Sequence, residues 1–163
     1  MGKRVSAVAL LLAAGTMLAL PATGAAESKR CKKTPKVGYT VSGTLVSLTA
    51  DDPNTEAFEG SVTITVTEAN GPATKSGEIA DQDGATEGTQ VAGATYAVSG
   101  DAYKLVLEEF EAPDTPSAGD AVTIIGKAER TKAKCAPEGT SVEDRTATPD
   151  IRKVVVTDSD ADV

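Results

Sequence analysis

Ser61 to Thr67 alternates without a fault: Val62, Ile64 and Val66 take one phase, and Ser61, Thr63, Thr65 and Thr67 the other. A period of two puts apolar side chains on one face of an extended chain and hydroxyls on the opposite face. That is the pattern of a half-buried antiparallel strand with a threonine-lined outer face. The same period recurs upstream, where Val37, Tyr39, Val41 and Leu45 share a phase while Val46 and Leu48 fall on the other. A one-residue slip exchanges the faces of a strand, so this switch just after Gly43 predicts a bulge or sharp coil in a long first strand.

Downstream, Ala94 to Val98 and Ala102 to Phe110 flank Ser99-Gly100-Asp101, a tight-turn signal that reads as a hairpin. Pro113 and Pro116 interrupt Glu111 to Ala118, since proline has no N–H for a ladder. Ala121 to Thr131, bending at Gly126, and Ile151 to Asp158 supply two more strands. Asn70 to Gly93 reads as a long loop or irregular hairpin anchored only by Ile79 and Val91. No helix is expected after the N-terminal segment, and no internal repeat is found.

That segment, residues 1–26, reads as a helical signal peptide. Lys3 and Arg4 precede an apolar run from Val5 to Leu20, and Pro21 to Ala26 offers small residues for cleavage after Ala25 or Ala26. The run is shorter than the ~20 residues of a typical membrane span. The expectation is therefore a protein secreted from the cell or held in the cell envelope, with no membrane insertion of the mature chain. The remainder divides into a basic leader at 27–36, one β-domain at 37–158 and an acidic tail at 159–163.

Export gives the cysteines meaning. Cys31 and Cys135 are the only two, and in an oxidising compartment one intramolecular disulfide is expected. Loss of Lys3 and Arg4 with the signal leaves 14 Lys and Arg against 24 Asp and Glu, a net charge of −10. Such a chain repels phosphate polymers, so no nucleic acid partner is expected. Histidine and tryptophan are absent. The commonest general base and metal ligand is therefore missing, and any stacking platform would rest on three tyrosines and two phenylalanines.

Five to six short strands with glycine bends suggest an all-β domain, a small OB-like antiparallel barrel, with an immunoglobulin-like sandwich as the alternative. In such a barrel the first and fourth strands pair antiparallel, and the cysteines stand just before one and just after the other. Tyr39 to Val46, Gly119 to Gly126 and Ile151 to Val156 together resemble the OB-fold-like β-barrel domains of uncharacterised secreted bacterial proteins. Those domains share a glycine-containing first strand, a Gly-Asp-x-Val-x-Val-x-Gly strand and a final Lys-Val-Val strand. The resemblance implies a fold and a compartment and brings no activity.

Candidate chemistry is sparse. Asp81, Asp83 and nearby Glu87 partly match a calcium loop but lack its remaining ligands in register. Glu108, Glu109 and Glu111 are clustered carboxylates, with Glu109 and Glu111 expected on one face. No Gly-x-Ser-x-Gly elbow occurs. The sequence thus points to a monomeric, non-enzymatic domain without a cofactor, binding a protein, peptide or cell-envelope component through its loops. The alternative is a calcium-dependent or hydrolytic protein that uses its carboxylates.

Overall fold

A computed structural model describes residues 31–49, 60–84, 91–99 and 103–159. The signal segment, Glu87 and most of the acidic tail lie outside the described residues. Six strands form one sheet: β1 (Lys36–Thr49), β2 (Ser61–Ala69), β3 (Thr95–Ser99), β4 (Lys104–Glu108), β5 (Ala121–Glu129) and β6 (Asp150–Thr157). Their spatial order is β3-β2-β1-β5-β6-β4. All neighbours are antiparallel except β4 and β6, which run parallel. The sheet is mixed and is not closed, where the sequence suggests a wholly antiparallel barrel.

The alternation in β2 is realised as read. Val62, Ile64 and Val66 are buried and the hydroxyl residues line the other face. In β1, Tyr39, Val41 and Leu45 are buried. The phase switch falls later than Gly43. Val46 is the extra residue between Leu45, which faces Ile64, and Ser47, which faces Thr63. Bulging Val46 outward returns Leu48 to the core side opposite Val62. A second register shift lies opposite Ser42 and Gly43, where Thr67 of β2 is the extra residue. Gly43 has a different task there: a Cβ would collide with the Thr65 carbonyl oxygen. Gly126 likewise admits the Asp150 carbonyl, which would lie 2.6 Å from a Cβ.

These bends coil the sheet around its own core. β3 and β4 are its two edges, yet only residues 100–103 separate Ser99 from Lys104. That link reaches about 17 Å at full extension, whereas six flat strands are about 24 Å across. The edges must therefore swing toward each other. At the junction Tyr103 is buried, and its hydroxyl donates to the Gly60 carbonyl at 3.3 Å. The hairpin expected between Ala94 and Phe110 does not form. Among the described residues β3 pairs only with β2, and β4, entered from the buried Tyr103, pairs with β6 instead.

Asn70 to Gly93 corrects the helix-free reading. Asn70 accepts the Ala73 N–H at 3.0 Å and caps α1 (Gly71–Thr74), with proline in its first turn. α2 (Glu78–Asp83) follows, ended by left-handed Gly84. Ile79 and Val91 are buried, as anchors should be. α2 lies against the β3 edge. The Gln82 amide accepts the Ala97 N–H at 2.9 Å and donates to the Ala97 carbonyl at 3.2 Å, and Asp83 accepts the Thr95 N–H at 3.1 Å. Side chains thus satisfy an edge that would otherwise offer free backbone groups.

At the far end of the β1–β5 ladder, Lys36 faces Glu129 and the Arg130 N–H donates to the Pro35 carbonyl. Cys31 and Cys135 close this seam, with a Cα separation of 5.5 Å across 104 residues of sequence. The pairing inferred for the first strand and the Ala121–Thr131 strand is present, although the latter is the fifth strand. Lys32, Lys33, Lys132 and Lys134 surround the bridge and are exposed. Among the described residues, no helix is long and apolar enough to cross a membrane.

Candidate binding cleft

The opposite end of the sheet carries a cluster of acidic residues. Between Leu105 and Gly126 the sequence holds no lysine or arginine. After β4 the chain turns at Glu109, whose φ of 69° is left-handed. It runs through the proline-containing segment to Gly119 and enters β5. Together with Asp158, which follows β6, this segment encloses a cleft of about 500 Å³. Among the described residues four carboxylates line it, those of Glu109, Glu111, Asp114 and Asp158, alongside Pro113, Thr115 and Ser117.

Asp120 holds the walls in place. Its side chain is buried at 1% exposure. One carboxylate oxygen accepts the Ser117 N–H at 2.7 Å; the other accepts the Ser159 N–H at 3.4 Å and hydroxyl at 3.3 Å. Its carbonyl accepts the Leu45 N–H beside the Val46 bulge, and the Gly119 N–H donates back to Leu45. The Asp158 N–H donates to the Glu108 carbonyl at 3.1 Å. Three segments distant in sequence are thereby tied at one point. A buried carboxylate is tolerable there because donors replace its lost water.

Glu109 and Glu111 share the cleft, while Glu108 remains in the strand opposite Thr157. Asp114 and Asp120 carry no site signal of their own in the sequence, and Asp158 reads there only as part of a weakly calcium-binding acidic run with Asp160 and Asp162; the absence of cations across 105–126 is the visible signal. Asp81 and Asp83 are exposed on α2, and Asp83 is engaged with β3. Two positions apart on a helix is a turn of about 200°, so these two carboxylates diverge. Their third candidate partner, Glu87, lies outside the described residues. Among the described residues no three His, Cys, Asp or Glu side chains are grouped to hold a metal ion. Cys31 and Cys135 are joined and serve the fold.

Strongly shifted titration occurs inside the core. The Tyr39 hydroxyl donates to that of Tyr96 at 3.0 Å. Burial, more than any neighbouring group, raises both, with Tyr96 at about 12 and Tyr39 higher still. A smaller groove of about 230 Å³ lies near this pair, between α2, β3 and Thr148 to Ile151. Comparison with family models, curated proteins and solved structures finds no match to the chain.

Proposed function

We propose that this chain is an exported, non-enzymatic β-domain that holds a cationic segment of a protein, peptide or cell-envelope component in its acidic cleft. The observation that carries the reading is the set of carboxylates around one concavity, three of them (Glu109, Glu111 and Asp114) from a stretch without a single Lys or Arg and joined there by Asp158. Negative charge gathered in a cleft focuses the field on an incoming cation. The walls are loops tied through Asp120 to a rigid sheet, a usual arrangement for recognition. The disulfide fits a compartment outside the cytoplasm. An OB-like coil of the sheet is part of this proposal, supported by the register shifts in β1–β2 and β5–β6.

Titration of the mature protein with fluorescein-labelled pentalysine tests it. Binding should weaken as salt rises. Glu111→Gln and Asp114→Asn should each weaken it by about 1.5- to 5-fold, the range of one exposed charge pair. Absence of binding at low salt, or equal binding by the double variant, refutes the assignment. The alternative calcium-dependent reading is checked by calorimetry with millimolar calcium, where absence of heat removes it.

A further inference from the structure

The two sheet edges are treated differently. β3 is sealed by Gln82 and Asp83. β4 ends the sheet, and among the described residues no strand pairs with its outer side. Glu108 directs its carbonyl at β6, where it accepts from Asp158. Bonds of a parallel ladder use alternate residues, so Lys104, Val106 and Glu108 serve β6. Leu105 and Leu107 therefore turn their N–H and C=O groups outward. Leu107 is 48% exposed, an apolar side chain left on the core side of an open edge.

We propose that β4 is a two-fold dimerisation edge, pairing antiparallel with β4 of a second copy about an axis at Val106. The strand reads Lys-Leu-Val-Leu-Glu, and it is complementary to its own reverse. Centred on Val106, antiparallel pairing sets Lys104 against Glu108 of the partner subunit, and Glu108 against Lys104 of the partner subunit. Leu105 meets Leu107 of the partner subunit on the core side, covering the exposed side chain. The backbone agrees with this register. Leu105 and Leu107 carry the outward groups and are the two residues placed opposite each other, so each such pair exchanges two hydrogen bonds. One symmetric operation thus matches the charges, the apolar residues and the ladder, as an isologous interface requires. The pairing joins two six-stranded sheets into one. It replaces the monomer expected from the sequence.

Analytical ultracentrifugation of the mature protein tests the proposal, with charge reversal and its rescue as the discriminating set. Wild type should show a concentration-dependent dimer. Lys104→Glu and Glu108→Lys each place two like-charge pairs across the axis and should raise the dissociation constant at least about 10-fold. The double variant restores both pairs and should dimerise like wild type. Leu107→Pro removes an outward N–H without touching the β6 ladder, so it should be monomeric and folded by circular dichroism. In the wild-type dimer the Leu107 amide should exchange more slowly than at dilutions favouring monomer. A wild type that stays monomeric at about 1 mM overturns the proposal. So does a dimer that survives Leu107→Pro and both single reversals, or a double variant that fails to re-form one.

Discussion

Removing the Cys31–Cys135 bridge perturbs the one covalent closure in the fold, and its effect can be worked out in advance. The bond closes a loop of 104 residues, for which chain entropy gives about 4.7 kcal/mol at 25 °C. Domains of this size have about 5–15 kcal/mol of stability in total. A Cys31→Ser/Cys135→Ser protein should therefore still fold, with little margin. Residues 27–163 number 137; at about 2.1 cal/mol/K per residue, their unfolding entropy is near 0.29 kcal/mol/K. The melting temperature should fall by about 16 °C. The β1–β5 ladder is independent of the sulfurs, because Lys36 to Thr44 pairs continuously with Ala121 to Glu129. Scanning calorimetry of oxidised, reduced and doubly substituted protein measures the drop, and circular dichroism reports whether the sheet persists at 25 °C. A fall below about 5 °C would refute the closure argument. Complete unfolding at 25 °C would refute the claim that the core suffices alone.

Three further substitutions or conditions probe the core. Gly43→Ala drives a Cβ into the Thr65 carbonyl and should cost about 1–3 kcal/mol in urea unfolding; a neutral result would show that the two strands can separate there freely. Asp120→Ala orphans the Ser117 N–H and frees Ser159, so about 1–3 kcal/mol should be lost. Asp120→Asn, which can still accept, should lose less. Tyr39 and Tyr96 have pKa values raised by burial, so the folded state favours their neutral forms. That contribution is complete below pH 10 and declines as pH rises above 10, by up to about 1.4 kcal/mol per pH unit for each tyrosine. Urea midpoints at pH 9, 10 and 11 should fall more steeply in wild type than in Tyr39→Phe/Tyr96→Phe, and parallel slopes would exclude the pair as the cause.

The failures of sequence reasoning have local explanations. Asn70 and Pro72 carry a legible helix start, yet four residues of α1 and six of α2 are too short for a 3.6-residue period to emerge. Ser99-Gly100-Asp101 announces a reversal, and local turn chemistry cannot state which strand the chain then joins. The cleft was half visible. Glu109 and Glu111 are neighbours in sequence, whereas Asp158 arrives through β6 pairing and Asp120 through burial.

Periodicity in β1 and β2 determined strand identity and inward faces, because alternation is a property of the extended backbone itself. Cysteine count and spacing determined the bridge, because only one pairing exists. Partner choice was decided in three dimensions: β4 beside β6, α2 against β3, Asp158 beside Glu108. Those contacts depend on how far the extra residues bend the sheet, Val46 and Thr67 between β1 and β2 and Arg152 between β5 and β6, where Ile125 faces Lys153 and Gly126 faces Ile151, and the bend is set by the packing of residues far apart along the chain.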